Sequence, residues 1–151
     1  MSQPELFARA RLSPIKLTLP YPISANRYWR HRAVKGVVFT YVSTEAKVYR
    51  QDVARIAMAG GIRSPFPGRV GVRYKLFPNR PKDFQRRANR DPSNWDDTVS
   101  CIDLDNAQKV MFDSLNKIAF VDDKMIRRIE AERGIPDELG ARIEVEIYPI
   151  E

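Results

Sequence analysis

The sequence predicts an α/β fold: one small domain with a mixed β-sheet and two main helices. Three observations carry this. Four separate stretches alternate apolar and polar residues, the period of half-buried strands. Two others place apolar residues at steps of three and four, the period of helices laid on a core. The length of 151 residues suits one domain, which at this size buries roughly 68–70% of its unfolded surface. With 43% hydrophobic and 30% charged residues, the chain has the composition of a globular protein and not of a disordered one.

Taken in order, residues 1–14 show no period and read as a mobile arm, with the single domain following over 15–151. Ile15 to Pro20 alternates and makes the first strand. Residues 21–32 read as a loop rich in rings and arginines, and Val37 to Val42 is a second β-rich run. A helix begins at Ser43, where Ser43 or Thr44 can cap it. It repeats Val48, Tyr49, Val53, Ile56 and Ala57 on its apolar side and ends at Gly60 and Gly61. Arg69 to Phe77 alternates as a strand with one basic face. Residues 78–98 have three prolines, five basic residues and no period, so 79–98 is expected as a basic loop insertion, of a length usually tied to function. Leu104, Ala107, Met111, Leu115 and Ile118 mark the second helix, over 104–118. Met125 to Arg133 and Ala141 to Pro149 both alternate across a turn-rich link, and are expected to pair as an antiparallel hairpin.

The net charge of +7 is unevenly spread. Residues 1–100 hold 19 Lys and Arg against 7 Asp and Glu, a balance of +12; residues 101–151 hold 7 against 12, a balance of −5. A basic half joined to an acidic half suits a polyanion-binding surface around an acidic pocket. No apolar run nears the roughly 18 residues of a membrane span, and the N-terminus has no hydrophobic leader segment. The single cysteine, Cys101, excludes an internal disulfide and reads as a core residue. A cytoplasmic protein with no membrane partner is expected.

The chemistry concentrates between Cys101 and Lys124. Asp103, Asp105 and Asp113 lie near Lys109, and the stretch closes with the pair Asp122 and Asp123; five carboxylates on one surface repel unless a cation sits among them. A hard divalent ion such as Mg²⁺, with Mn²⁺ as a substitute, takes this kind of oxygen ligand. Structural explanations exist for each part. Asp103 would be an ordinary N-cap, Asp105 would favour the helix dipole and pair with Lys109, and Asp122–Asp123 would be a turn. A metal site requires the Asp-Asp pair to pack beside the residues preceding Asp103. Asp96 and Asp97, a second Asp-Asp pair without periodic neighbours, are not expected to take part.

Arg27, Tyr28, Trp29, Arg30, His31 and Arg32 interleave rings with cations, as surfaces that hold phosphates and stack on exposed bases do. Arg86 and Arg87, in the insertion, are further candidates for DNA contact. The insertion itself reads either as a disordered loop or as a clamp, and can be both.

The residues L-T-L-P-Y-P-I-S-A-N-R-Y-W-R-H, V-S-T-E-A-K-V-Y-R-Q-D-V, D-L-D-N-A-Q-K-V-M-F-D-S-L and F-V-D-D, in that order from Ile15 to Arg133, resemble the RusA-type Holliday junction resolvases, crossover junction endodeoxyribonucleases of prophages. The resemblance implies a small α/β homodimer that resolves four-way DNA junctions by paired symmetric nicks in recombination and repair. It implies Mg²⁺-dependent phosphodiester hydrolysis with Asp103, Asp105 and Asp123 as metal ligands and Lys109 in support. Two departures stand out. The basic run that relatives carry directly before D-x-D lies upstream here, leaving Val99 to Ile102 uncharged, and Ala25 precedes Asn26. Two other readings fit the residues. One is a non-catalytic module that binds branched or single-stranded DNA. The other is a phosphohydrolase of small phosphates, for which a +12 half is out of proportion.

Overall fold

The structure, a computed structural model, describes residues 13–150; most of the expected N-terminal arm, residues 1–12, lies outside them. Strand β1 (Ile15–Pro20) leads through one helical turn, α1 (Ala25–Tyr28), into strands β2 (Trp29–Val34) and β3 (Val37–Val42). Helix α2 (Thr44–Ala59), strand β4 (Val70–Phe77), the short helix α3 (Phe84–Arg90), helix α4 (Leu104–Leu115), and strands β5 (Ile126–Arg133) and β6 (Arg142–Pro149) come next. Two 3₁₀ turns, Trp95–Thr98 and Asp123–Met125, precede α4 and β5.

Four strands form one mixed sheet in the order β1-β6-β4-β5, while β2 and β3 form a separate antiparallel ribbon. The expected pairing of β5 with β6 does not occur. β4 lies between them, parallel to β5 (Val72 opposite Ile129) and antiparallel to β6 (Val72 opposite Ile147). β4 is the strand with the strongest claim to the centre, because Val70, Val72, Tyr74, Leu76 and Phe77 are all buried. The link 134–141 therefore crosses the end of β4, with Gly134 N–H donating to Leu76 O at 2.8 Å. A Cβ on Gly134 would come within 2.4 Å of the Phe77 ring, so the crossing needs glycine there.

One sheet face is covered. Leu17, Leu19, Val72, Tyr74, Leu76, Ile143, Val145 and Ile147 pack against Tyr49, Val53 and Ala57 of α2 and Ala107, Val110, Met111 and Leu115 of α4. Each large side chain fully buried here contributes roughly 1.5–3 kcal/mol. Val48, expected on the apolar side of α2, is instead 53% exposed. Ser43 caps α2 as expected, accepting from Ala46 N–H at 3.1 Å. The opposite sheet face is polar. Its basic residues on β4 do not form a free cationic surface: Arg73 bonds Glu130 (2.7 Å) and Glu146 (2.8 Å), and Lys75 lies 3.3 Å from Glu132.

Three further expectations are corrected. Residues 25–28 of the 21–32 loop form the helical turn α1, and residues 29–32 belong to strand β2, paired residue for residue with β3. The insertion contains α3 and a 3₁₀ turn instead of irregular chain throughout. Helix α4 stops at Leu115, not 118, because Asn116 leaves the helical region (ψ 132°) and Lys117 then takes a positive φ of 67°.

Candidate active site and nucleic-acid interface

Helix α4 forms the crossover between the parallel strands β4 and β5, so it runs back along the sheet from their C-terminal ends to their N-terminal ends. Its start is tied to the far end of the sheet: Tyr74 Oη donates to Leu104 O (3.2 Å) and to Gln108 Oε1 (3.0 Å). Arg133, the last residue of β5, donates to Val99 O at 2.9 Å. Its end meets the turn that begins β5.

Asp103 occupies the N-cap position with extended backbone (φ −64°, ψ 147°), and its carbonyl accepts from Ala107 N–H at 2.9 Å, but its side chain makes no capping bond. Asp105 and Lys109, both exposed, do not form the expected i,i+4 pair. Among the described residues, Asp103, Asp105 and Lys109 enter no ion pair. The side-chain cap of Asp103 and the Asp105–Lys109 pair are therefore not formed, while Asp105 does lie in the first turn at the positive end of the helix; both carboxylates remain open to solvent.

The 21–28 segment is laid along α4 by three tethers. Ile102 N–H donates to Tyr21 Oη at 2.6 Å, and Ala25 N–H to Asn106 Oδ1 at 2.6 Å. Tyr28 Oη donates to Asp113 Oδ2. Between this segment and the start of the helix is a cavity of about 480 Å³ lined by Asp103, Asn106, Arg27, Cys101 and Tyr21 among others. It brings the first aspartate of D-x-D together with an arginine of the aromatic–basic segment.

At the other end of α4, Arg50 of α2 donates to Asp113 Oδ2 (2.6 Å) and Tyr28 Oη (2.7 Å). Burial raises the pKa of the Tyr28 phenol, and the Asp113 carboxylate raises it further. Burial works against the Arg50 charge, but Asp113 and Tyr28 outweigh it and hold the guanidinium above its ordinary value. Asp122 and Asp123 stand in the following turn. Lys124 N–H donates to Asp122 at 2.9 Å and keeps that carboxyl below the usual range. Asp123 is pushed up, first by its hydrogen bond with Asp122, with Asp113 adding negative charge.

The expected convergence of Asp123 on Asp103 and Asp105 does not occur within one chain. A helix of 12 residues is about 18 Å long, and the two groups flank its opposite ends. Among the described residues, no three His, Cys, Asp or Glu side chains come together closely enough to hold a metal ion. The donors are nevertheless chemically suited to a hard cation: two carboxylates lack partners, and a third is raised by its neighbour.

The candidate DNA residues divide. Tyr28 is fully buried and turned inward, which removes it as a contact; Trp29 is half-buried against it, ring centroids 4.4 Å apart. Arg27 pairs with Glu45. Arg30, His31 and Arg32 are exposed on the ribbon, where His31 Nδ1 lies 3.0 Å from Thr40 Oγ1. In the insertion Arg87 bonds Asp83 (2.9 Å) and Thr98 O (3.1 Å), whereas Arg86 and Arg90 are more open. With Trp95 they line a cavity of about 500 Å³. Sequence reasoning missed Asn106 and Arg50. Asn106 follows D-x-D directly and was legible as part of it; Arg50 meets Asp113 from 63 residues away, which a single sequence does not signal.

The sequence profile of the endodeoxyribonuclease RusA family matches residues 20–148. The crossover junction endodeoxyribonuclease RusA of Escherichia coli (strain K12) is 32% identical over 138 residues, covering 90% of this chain and 95% of that protein. The crossover junction endodeoxyribonuclease of Enterobacteria phage 82 is 32% identical over 133 residues, 87% and 91% of the two chains. That of Shigella sonnei (strain Ss046) is 30% identical over 138 residues, 90% and 95%.

Proposed function

The chain belongs to the RusA endodeoxyribonuclease family, and from that premise we propose that it is a structure-selective endonuclease that resolves four-way DNA junctions. The observation that carries the reading is the start of α4. There, Asp103 lines a cavity shared with Arg27 and Asn106, and Asp105, exposed in the first turn of the helix, is likewise without an ion-pair partner among the described residues. Open carboxylates near an arginine suit the handling of a phosphodiester in the presence of a divalent cation.

Asp103, Asp105 and Asp123 would hold Mg²⁺ or Mn²⁺. When bound, such an ion supplies charge stabilisation and an activated water for phosphodiester hydrolysis. Lys109, one turn beyond Asp105 on the exposed face, is placed to neutralise a nonbridging or leaving oxygen. Arg27 would hold the phosphate backbone from the opposite wall. Asn106 and Tyr21 are positioning residues, since they anchor the segment that carries Arg27.

The separation of the carboxylates along α4 supports a dimer with shared sites, in which Asp123 of a second copy approaches the Asp103–Asp105 end. Two such sites related by a two-fold axis suit paired nicks in a nearly two-fold junction. The experiment mixes two inactive variants, Asp105→Asn and Asp123→Asn, on a synthetic four-way junction with Mg²⁺. In a mixed dimer with shared sites one site carries both changes and the other carries neither, so single-strand nicking returns. With each site inside one chain, mixing restores nothing and the shared-site arrangement is wrong. Wild-type protein that binds junctions equally well in EDTA and Mg²⁺ but never nicks them would make this a binding module.

A further inference from the structure

The β2–β3 ribbon has no part in the hydrophobic core beyond its root. It is joined at the root by Ser43 N–H donating to Tyr28 O (2.9 Å) and Ser43 Oγ donating to Arg27 O (2.6 Å). From there the residues 30–41 are all exposed. The turn at Lys35 and Gly36 has positive φ at both positions (51° and 79°), the tight form whose twist matches a right-handed ribbon. Gly36 suits that turn because it takes the left-handed conformation without strain.

The register sorts the side chains into two faces. Arg30 lies opposite Tyr41, Arg32 opposite Phe39, and Val34 opposite Val37, all on one face; His31, Ala33, Val38 and Thr40 are on the other. Phe39 is 54% exposed, Tyr41 49% and Val37 54%. Among the described residues, Arg30, Arg32 and Lys35 enter no ion pair. A solvated ribbon has no use for two open rings beside two unpaired guanidiniums, and a clustered apolar patch marks a contact surface.

Charge selects the occupant. Residues 29–43 contain Arg30, Arg32 and Lys35 and no Asp or Glu. Packing this ribbon on its own copy would bring like charges together, whereas a polyanion with exposed π-faces complements it. A two-stranded ribbon fits a DNA major groove, rings stack on unpaired bases, and guanidiniums hold the flanking phosphates. We propose that the face bearing Arg30, Arg32, Phe39 and Tyr41 is an arm that stacks on bases unpaired at the branch point of a DNA junction. This rests on the nuclease reading but adds two ring contacts and a function for the ribbon distinct from the carboxylate site.

The test uses the full chain in EDTA, with a four-way junction carrying 2-aminopurine beside the branch point and a linear duplex of the same sequence. Phe39→Ala and Tyr41→Ala should each weaken junction binding roughly 5- to 150-fold, the range for loss of one stacked ring. They should also lose the 2-aminopurine signal while leaving duplex affinity and melting temperature unchanged. Phe39→Trp should retain binding and signal, and Val38→Thr on the other face should change neither. Alanine variants that match wild type on the junction, while wild type binds it in EDTA and nicks it when Mg²⁺ is supplied, overturn the arm and leave the nuclease reading standing. Alanine variants that turn a dimer into a monomer with junction binding intact make the ribbon an interface between copies and also overturn it. A wild-type protein that binds no junction overturns both.

Discussion

The buried phenol of Tyr28 and the guanidinium of Arg50 meet on a single oxygen, Oδ2 of Asp113, with Arg50 Nη2 at 2.6 Å and Arg50 Nε 2.7 Å from the phenol itself. This triangle joins the root of the β2–β3 ribbon to α2 and to the end of α4. Tyr28→Phe keeps the ring and removes one bond, so it should destabilise by about 1 kcal/mol, read from urea unfolding. Asp113→Asn should cost more than Tyr28→Phe, since it leaves the partly buried Arg50 without a counter-charge. Equal stability of both variants and wild type would mean that the triangle does not secure the ribbon root.

Asp105→Asn separates catalysis from helix stability. With no Asp105–Lys109 ion pair, the only helix contribution removed is its favourable place in the first turn, about 0.3–1 kcal/mol. Nicking in Mg²⁺ should collapse, while junction affinity in EDTA holds or rises because a negative charge has gone. A folded variant that nicks at the wild-type rate would remove Asp105 from the site.

The insertion should act through its open arginines. Replacing Arg86 and Arg90 by alanine should weaken DNA binding and flatten its salt dependence, by about 0.9 log unit per tenfold change in salt for each phosphate no longer neutralised. Arg87→Ala, which breaks bonds to Asp83 and Thr98, should instead lower the melting temperature. An unchanged salt slope in the Arg86/Arg90 variant would show that the DNA does not reach the insertion.

Asp137 and Arg142 form a bidentate pair, 2.7 Å and 2.9 Å, that holds the link across the end of β4. The Arg142 hydrogen bond keeps the Asp137 carboxyl below its ordinary range. A folded-state pKa below the unfolded one adds stability that is complete above the unfolded value and is lost as pH falls through the folded value. Asp137→Asn should therefore melt lower than wild type at neutral pH. The gap should close as the medium is acidified below the ordinary aspartate range. A gap independent of pH would mean the carboxylate charge is not what holds the link.

The amino-acid sequence by itself determined the elements whose signals are local. Alternation marked β1, β4, β5 and β6, the Ser43 cap marked the start of α2, and the D-x-D-N run before a 3.6-period stretch marked α4 and its carboxylates. Each of these is a relation between residues a few positions apart, so it survives in one dimension. Tertiary structure alone decided that β4 separates β5 from β6, because strand order depends on which strand is buried on both sides by distant neighbours. It alone turned Tyr28 inward to Asp113, 85 residues away, and freed Asp103 from capping its own helix. It also set Asp123 at the far end of α4, since a parallel β-α-β crossover puts the residues before its helix and those after it at opposite edges of the sheet. Spacing along the chain therefore identified the carboxylates, while their separation in space came from the path of the helix between two parallel strands.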